Sequence, residues 1–169
     1  MTTMREARAR YWKENDFGED GGYSDDWVKI KVGPVPFFIP NGQARKKALV
    51  FHDLHHILTG YQTDWVGEAE IAAWEVASSC KDMWAAWVLN LAAYGLKLPA
   101  YPKRIFQAVV RGRYSHNLYD KDIDSLLDQS TEEVQAIMGT KDAPPPATSS
   151  DRLAFTFWSV VALAVGYTP

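Results

Sequence analysis

The stretch Asn41–Glu75, NGQARKKALVFHDLHHILTGYQTDWVGEAEIAAWE, decides the fold. It carries His52, His55 and His56 beside Asp53, then a glycine-bounded loop, then Glu68, Glu70 and Glu75. It predicts two helices joined by a loop, with a metal held between them. Asn41, after Pro40, is a good N-cap, and Gly60 is a good C-terminal stop. No proline interrupts the span between them. At about 100° per residue, His56 falls about 40° and Arg45 about 20° from His52, with Asp53 at roughly 100°. Val50, Phe51, Leu54, Ile57 and Leu58 gather on the other side, so one face is apolar and one carries potential ligands. A histidine pair at i, i+4 aims two imidazoles at one spot, as in the zinc motif HExxH. The residue after the first histidine is Asp53, whose side chain is within reach of the same spot. His55 lies off this face and is expected to be structural or to support the ligands.

The second helix is expected to start near Gly67 or Glu68 and to run to about Tyr94, before Gly95. Glu68 sits in its first turn, where a carboxylate suits the helix dipole. Glu75 lies about 20° from Glu68 and roughly 10 Å along the axis, placed to orient a ligand by hydrogen bonding. Glu70 points nearly opposite and is expected in solvent. Two histidines and two carboxylates suit zinc first, with iron or manganese as further options. The alternative is that His52 and His56 are core histidines and the acids are surface charge.

His52, Asp53, His56 and Glu68 spell HDxxH, eleven residues and a glutamate. With HDLHHILTGY around it, Gly67-Glu68 and the later Glu75, this pattern resembles the fourth-numbered Coq family of ubiquinone biosynthesis, called Coq-four below. Tyr101–Gly139, with RGR at 111–113 and a leucine-bearing acidic helix, resembles it as well, so the likeness spans 34–139. The resemblance implies a largely helical fold and a metal at those four residues. It also implies a lipid cavity for a prenylated ring compound, and a role in C1 decarboxylation and hydroxylation of the quinone precursor. The N-terminal portion and the C-terminal tail are not clearly matched.

The whole chain sets bounds on these expectations. At 169 residues, 47% apolar and 23% charged, it has the length and composition of one globular domain. A net charge of −3 gives no electrostatic reason to expect nucleic acid as a partner. The single cysteine, Cys80, cannot form an internal disulfide, which fits a reducing compartment such as the cytoplasm. The N-terminus, MTTMREARARYWKEND, lacks the apolar core of a secretory signal and reads as a short amphipathic helix. Its arginines face solvent or touch the inner face of a membrane peripherally.

The expected architecture is mainly α. It is a compact helical domain built around a metal-binding helical hairpin, with at most one short strand or extended segment. Residues 1–140 form the domain, 141–150 a proline-rich linker, and 151–169 an apolar helix packing on the domain or on a dimer partner. Asp16–Asp26 reads as a loop, without the ligand spacing of a calcium-binding EF-hand. Trp27–Val32 alternates, with Val28, Ile30 and Val32 on one side, as a short strand without an evident partner. Gly33-Pro34-Val35-Pro36 forces an extended path into Phe37-Phe38-Ile39, a hydrophobic strap over the helices. Pro102 opens a helix whose stripe is Ile105, Phe106, Val109 and Val110. Tyr119–Asp128 is expected as a short acidic helix, and Ser130 with Glu133 as a capping box ahead of Gly139. Asp151 is expected to cap a last helix, Arg152–Val165, ended by Gly166. Its apolar run is too short to cross a bilayer.

Two function classes follow. One is a metal-dependent, decarboxylase-like enzyme acting on a prenylated aromatic acid, with Glu75 steadying the ligands. Arg45, Trp74, Arg111 and Arg113 are its candidate substrate contacts: a ring on tryptophan, an anionic group on the arginines. The other is a carrier of an isoprenoid lipid or quinone precursor, in which a filled coordination sphere makes the metal structural. Seven tryptophans are available to line its cavity, or simply to fill the core. A metal-dependent hydrolase ranks below both. Asp53 is shorter than the glutamate base of HExxH, and no histidine precedes His52.

Overall fold

The computed structural model describes residues 1–32, 35–141 and 143–168. Its elements, in chain order, begin with α1 (Met4–Glu14), β1 (Trp27–Val32), β2 (Val35–Pro40), α2 (Gln43–Thr59) and α3 (Trp65–Ser78). They continue with α4 (Trp84–Lys97), α5 (Pro102–Arg113), α6 (Ile123–Leu127), α7 (Thr131–Met138) and α8 (Ser149–Tyr167). The chain is mainly helical, as its periodicity predicts.

α3 is the central rod. Its alanines Ala69, Ala72 and Ala73 are buried, and their small side chains let α4 and α5 approach closely. Trp74 and Val76 share one core with Leu54 and Leu58 of α2, Ile105 and Val109 of α5, and Tyr94 of α4. Asp64 caps α3 by accepting hydrogen bonds from the amides of Val66 (3.0 Å) and Gly67 (2.7 Å), so the helix begins earlier than Gly67. A side chain at position 67 would overlap the backbone of Gln62, so glycine there lets the incoming loop cross the helix start.

The predicted single helix from Gly67 to Tyr94 is two helices. It breaks at Ser79–Lys81, where Ser79 (φ 77°) and Lys81 (φ 51°) are left-handed. The amide of Asn117 donates to the carbonyls of Ser78 and Ser79, which an unbroken helix would have used itself. After the break α4 lies beside α3 and brings Asn90 into the core.

Asn41 does not cap α2. Gly42 holds the cap position, and the Asn41 amide instead donates to Gly22 O (3.1 Å) and Asp25 O (2.9 Å) while its carbonyl accepts from Arg45. Asn41 thus ties the 16–26 loop to the start of α2. Gly60, at φ 76°, ends α2 as predicted.

The strand Trp27–Val32 has the partner that the sequence did not reveal. It pairs antiparallel with Val35–Pro40, in register from Trp27↔Pro40 to Val32↔Val35. The prolines of β2 are tolerated because a two-stranded ribbon has only edge strands. Gly33 and Pro34, and the faces taken by the side chains of 29–37 and 39, lie outside the described residues. Trp27 and Val28, at the ribbon's base, reach the cleft described below.

Pro102 stands at the first position of α5, and Ile105, Val109 and Val110 are its buried stripe, with Phe106 half-buried. The acidic helix is shorter than predicted, because Asp122 caps it and leaves 117–121 as a loop in which Asn117, Leu118 and Tyr119 are buried. Ser130 and Glu133 form the predicted capping box. α8 begins earlier than predicted: Thr148 is its cap and Asp151 the reciprocal partner three positions on. It also runs through Gly166, which lies against the backbone of Ala92 and Gly95. α8 therefore packs on α4 and α5 of its own chain. The N-terminus is stapled across the molecule. Met4 N donates to Gln129 O (2.9 Å) and Thr131 N to Thr2 O (3.1 Å), around a bridge between Thr3 and Ser130.

The α4–α8 crossing depends on Gly95, where an added side chain would overlap the carbonyl of Ala162. Gly95→Ala is expected to destabilise the fold by about 1–3 kcal/mol, read as a lowered midpoint in urea unfolding.

Candidate metal centre

Two turns of α2 and the first turn of α3 converge. His52 Nε2 and His56 Nε2 lie 3.2 Å apart. Glu68 places one oxygen 3.4 Å from His52 Nε2 and the other 3.3 Å from His56 Nε2. All three residues offer ligand atoms within 4.8 Å of one another. Ligands bound tetrahedrally to zinc at its usual nitrogen and oxygen distances are spaced about 3.4 Å apart, so the trio is gathered at the span one cation needs.

The hydrogen bonds behind the imidazoles set their tautomers. His56 Nδ1 faces the carbonyl of Tyr61 at 2.9 Å, and His52 Nδ1 faces Glu75 Oε1 at 2.9 Å. Both partners only accept, so both Nδ1 atoms carry the hydrogen. In their neutral forms both Nε2 lone pairs then point at one place, beside a carboxylate. Three acceptors facing each other call for a cation: a metal ion, or a proton shared among them. Burial alone would lower the His52 pKa, but the Glu75 and Glu68 carboxylates outweigh it and hold the pKa well above its ordinary value. Burial would likewise raise Glu68, yet its hydrogen bonds to His52 and His56 bring it down to about 2.

Glu75 is fully buried and takes four donors. His52 Nδ1 and His55 Nδ1 (2.6 Å) share Oε1, while Tyr119 OH (2.7 Å) and the Asn90 amide share Oε2. Burial pushes this carboxyl upward, but the His52 and His55 rings beside it more than offset that and hold it well below the usual range. It stands behind His52, where the helix spacing predicts it. His55 is structural: its Nε2 accepts from the amide of Leu118 at 3.0 Å, which leaves Nδ1 to donate to Glu75. Tyr119 and Asn90 are far from Glu75 in sequence and carried no local signal.

Asp53 lies beside the trio but is turned to other partners. Its Oδ2 accepts from Trp12 Nε1 (2.9 Å) and Tyr23 OH (2.6 Å), which draws α1 and the 16–26 loop onto α2. Its offset of roughly 100° on the α2 wheel turns it toward that segment. Tyr11 stacks on His56 with ring centres 5.9 Å apart. Sequence reasoning missed Tyr11, Trp12 and Tyr23, because nothing in an aromatic-bearing amphipathic helix says which neighbour it covers.

A cleft of about 920 Å³ opens over the trio. His52, Asp53, His56 and Glu68 lie on its wall, and Leu49, Leu89, Leu96, Trp65, Phe17 and Trp27 supply apolar surface. Of the proposed substrate contacts, Arg45 is on this wall, with one guanidinium nitrogen held by Asn41 at 2.7 Å. Trp74 is not: it is fully buried with its ring 5.1 Å from His55. Arg111 donates to the carbonyls of Thr59 and Thr140 and covers Tyr61, locking the end of α2. Arg113 pairs with Asp151 at the start of α8 (2.6 Å). Both arginines are therefore structural ties. Among the tryptophans, Trp27 and Trp65 line the cleft, whereas Trp87 stacks on Trp158. Glu70 is buried rather than solvated, since Arg104 of α5 grips both its oxygens at 2.8 and 2.6 Å.

Glu75→Gln removes a charge from four donors and offers two of them an amide nitrogen that cannot accept. It is expected to cost on the order of 3–5 kcal/mol in chemical unfolding. The Glu75 contribution is complete above its ordinary pKa of 4.5 and is lost as pH falls through the depressed folded value. The stability difference between the two proteins should therefore narrow in acid.

No protein-family model matches this chain, and neither does any curated protein or solved structure.

Proposed function

We propose that this chain is a Coq-four-like, metal-dependent protein that binds and acts on a prenylated aromatic quinone precursor in the cleft over His52, His56 and Glu68. One observation carries the reading: two correctly oriented imidazoles and a carboxylate meet on the wall of a largely apolar cleft. The cleft's size and walls suit a ring with an isoprenoid tail. Among the described residues no helix is long and apolar enough to cross a membrane, so such a substrate would be met from outside the bilayer. A cytoplasmic site at the inner face of a membrane is part of this proposal.

Three protein ligands leave a position for substrate or water, which favours chemistry over a closed structural site. Zinc suits the donor set, and two histidines with one carboxylate on a single side also suit iron. When bound, the metal would supply Lewis-acid stabilisation of charge developing on the substrate. The chain's own residues do the rest. Glu75 fixes the His52 tautomer, the Tyr61 carbonyl fixes that of His56, and Tyr11 covers the His56 ring. Arg45 puts a cation on the wall that attracts an anionic ring substituent. A hydrolase is disfavoured because Asp53, the residue at the base position of HExxH, is occupied by Trp12 and Tyr23.

The carrier reading shares the cleft and differs in ligand count. Asp53 decides between them, as the one further carboxylate of the motif near the trio. Purified protein is expected to hold about one divalent ion per chain by elemental analysis. His52→Ala, His56→Ala and Glu68→Ala should lose it, and Asp53→Asn should keep it. Loss in Asp53→Asn would favour the closed site, and near-zero metal in every sample would end the reading.

Metal uptake should also release a proton. Without metal His52 holds one at neutral pH, because its pKa lies well above 6.5. That imidazolium stabilises the metal-free fold below its ordinary pKa, and the stabilisation fades as pH rises through the raised value. Calorimetry in buffers of different ionisation enthalpy is expected to show about one proton released per metal at pH 7, with affinity rising about tenfold per pH unit.

A further inference from the structure

α8 is apolar all the way round. Between Leu153 and Thr168 it carries no charged residue. Its inner face, Phe155, Trp158, Ser159, Ala162 and Val165, packs against the body of the protein. Its outer face is not covered. Leu153, Phe157, Val160 and Tyr167 are 73%, 58%, 64% and 60% exposed, with Ala164 exposed between the last two. At about 100° per residue these five residues fall within about 40° of one line, opposite the packed face. A helix apolar on every side is normally covered on every side.

The stripe's spacing indicates what covers it. Positions 153, 157, 160, 164 and 167 repeat at 4-3-4-3, the seam that one helix offers another in coiled-coil packing. Read backwards, the spacing is 3-4-3-4 about Val160. An antiparallel copy would therefore present a matching stripe, with Val160 on the two-fold axis. No like charges meet along it. The exposed apolar area is on the order of 500 Å² per copy, so a pair buries about 1,000 Å², the lower edge of specific interfaces. A lipid surface is a poorer fit. Interfacial helices carry lysine and arginine along a polar face, whereas α8 has only Arg152, set over Phe106.

We infer that α8 is a self-association surface on which two copies of this chain pair across the stripe Leu153–Phe157–Val160–Ala164–Tyr167. The pairing is independent of the metal reading. Its modest area makes it concentration-dependent, and the cleft lies outside it.

Sedimentation of the full chain over a concentration series tests this. The expected result is a shift from 19.0 kDa toward twice that mass. Phe157→Glu should stay monomeric, with an unchanged helical circular dichroism spectrum. Val160→Cys should cross-link under mild oxidation. Lys103→Cys, exposed on α5, should not, and Cys80 is buried and does not interfere. A wild-type monomer at every concentration would overturn the inference, as would a dimer that survives Phe157→Glu. Equal cross-linking at 103 and 160 would overturn it too. So would a wild-type monomer that floats with anionic phosphatidylserine vesicles while Phe157→Glu does not, and the face would then belong to lipid.

Discussion

A carboxylate sealed from water must be answered by donors from every side, and Glu75 is where this fold meets that demand. Its four donors arrive from α2, α4 and the loop after α5. No short segment can supply them, so the surrounding elements have to assemble around one charge. Burial costs such a group several kcal/mol unless each lone pair is matched. Matching it places His52 at a fixed angle and His55 in a fixed tautomer. It also explains the break after α3. An unbroken helix would carry Asn90 onward in the same direction, whereas the turn at Ser79–Lys81 brings it back beside Glu75.

The site is assembled from rigid parts for the same reason. His52 and His56 stand on successive turns of one helix, and their rings are held from behind by Glu75 and the Tyr61 carbonyl. Glu68 stands at a helix start, where backbone amides favour its charge. The three approach each other because α2 and α3 are joined by a short loop that Asp64 and Gly67 close tightly. Asp53 works in the opposite direction, holding the N-terminal segment against α2 and so giving the cleft a wall.

Much of this was legible in the chain, and the boundary has a physical meaning. Local periodicity gave the shared face of His52 and His56 on α2, the first-turn place of Glu68 and the position of Glu75 behind His52. These depend on helix geometry alone. Gly60, Pro102 and the Ser130–Glu133 box were legible because caps are local chemistry. What was not legible is tertiary. Asn41 looks like a cap but serves the 16–26 loop, and Glu70 looks solvated until Arg104 is placed beside it. Arg111 and Arg113 look like anion receptors, yet each closes off backbone or a carboxylate of its own fold. Asp53 shares a motif with two histidines, and nothing local says that its carboxylate meets Trp12 and Tyr23. The partner of β1 was hidden by prolines, which argue against a strand everywhere except at an edge.

The staple between Thr3 and Ser130 has a consequence for the order of assembly. His52, His56 and Glu68 themselves stand between residues 43 and 78, which a ribosome releases early, whereas Asn90 and Tyr119, which complete the hold on Glu75, follow later. The cleft's outer wall is made earlier still, yet its anchor at 129–131 emerges much later. Until then α1 has only its side-chain contacts with α2 to hold it. The cleft above the trio thus gains its anchored wall only after residue 131 has emerged.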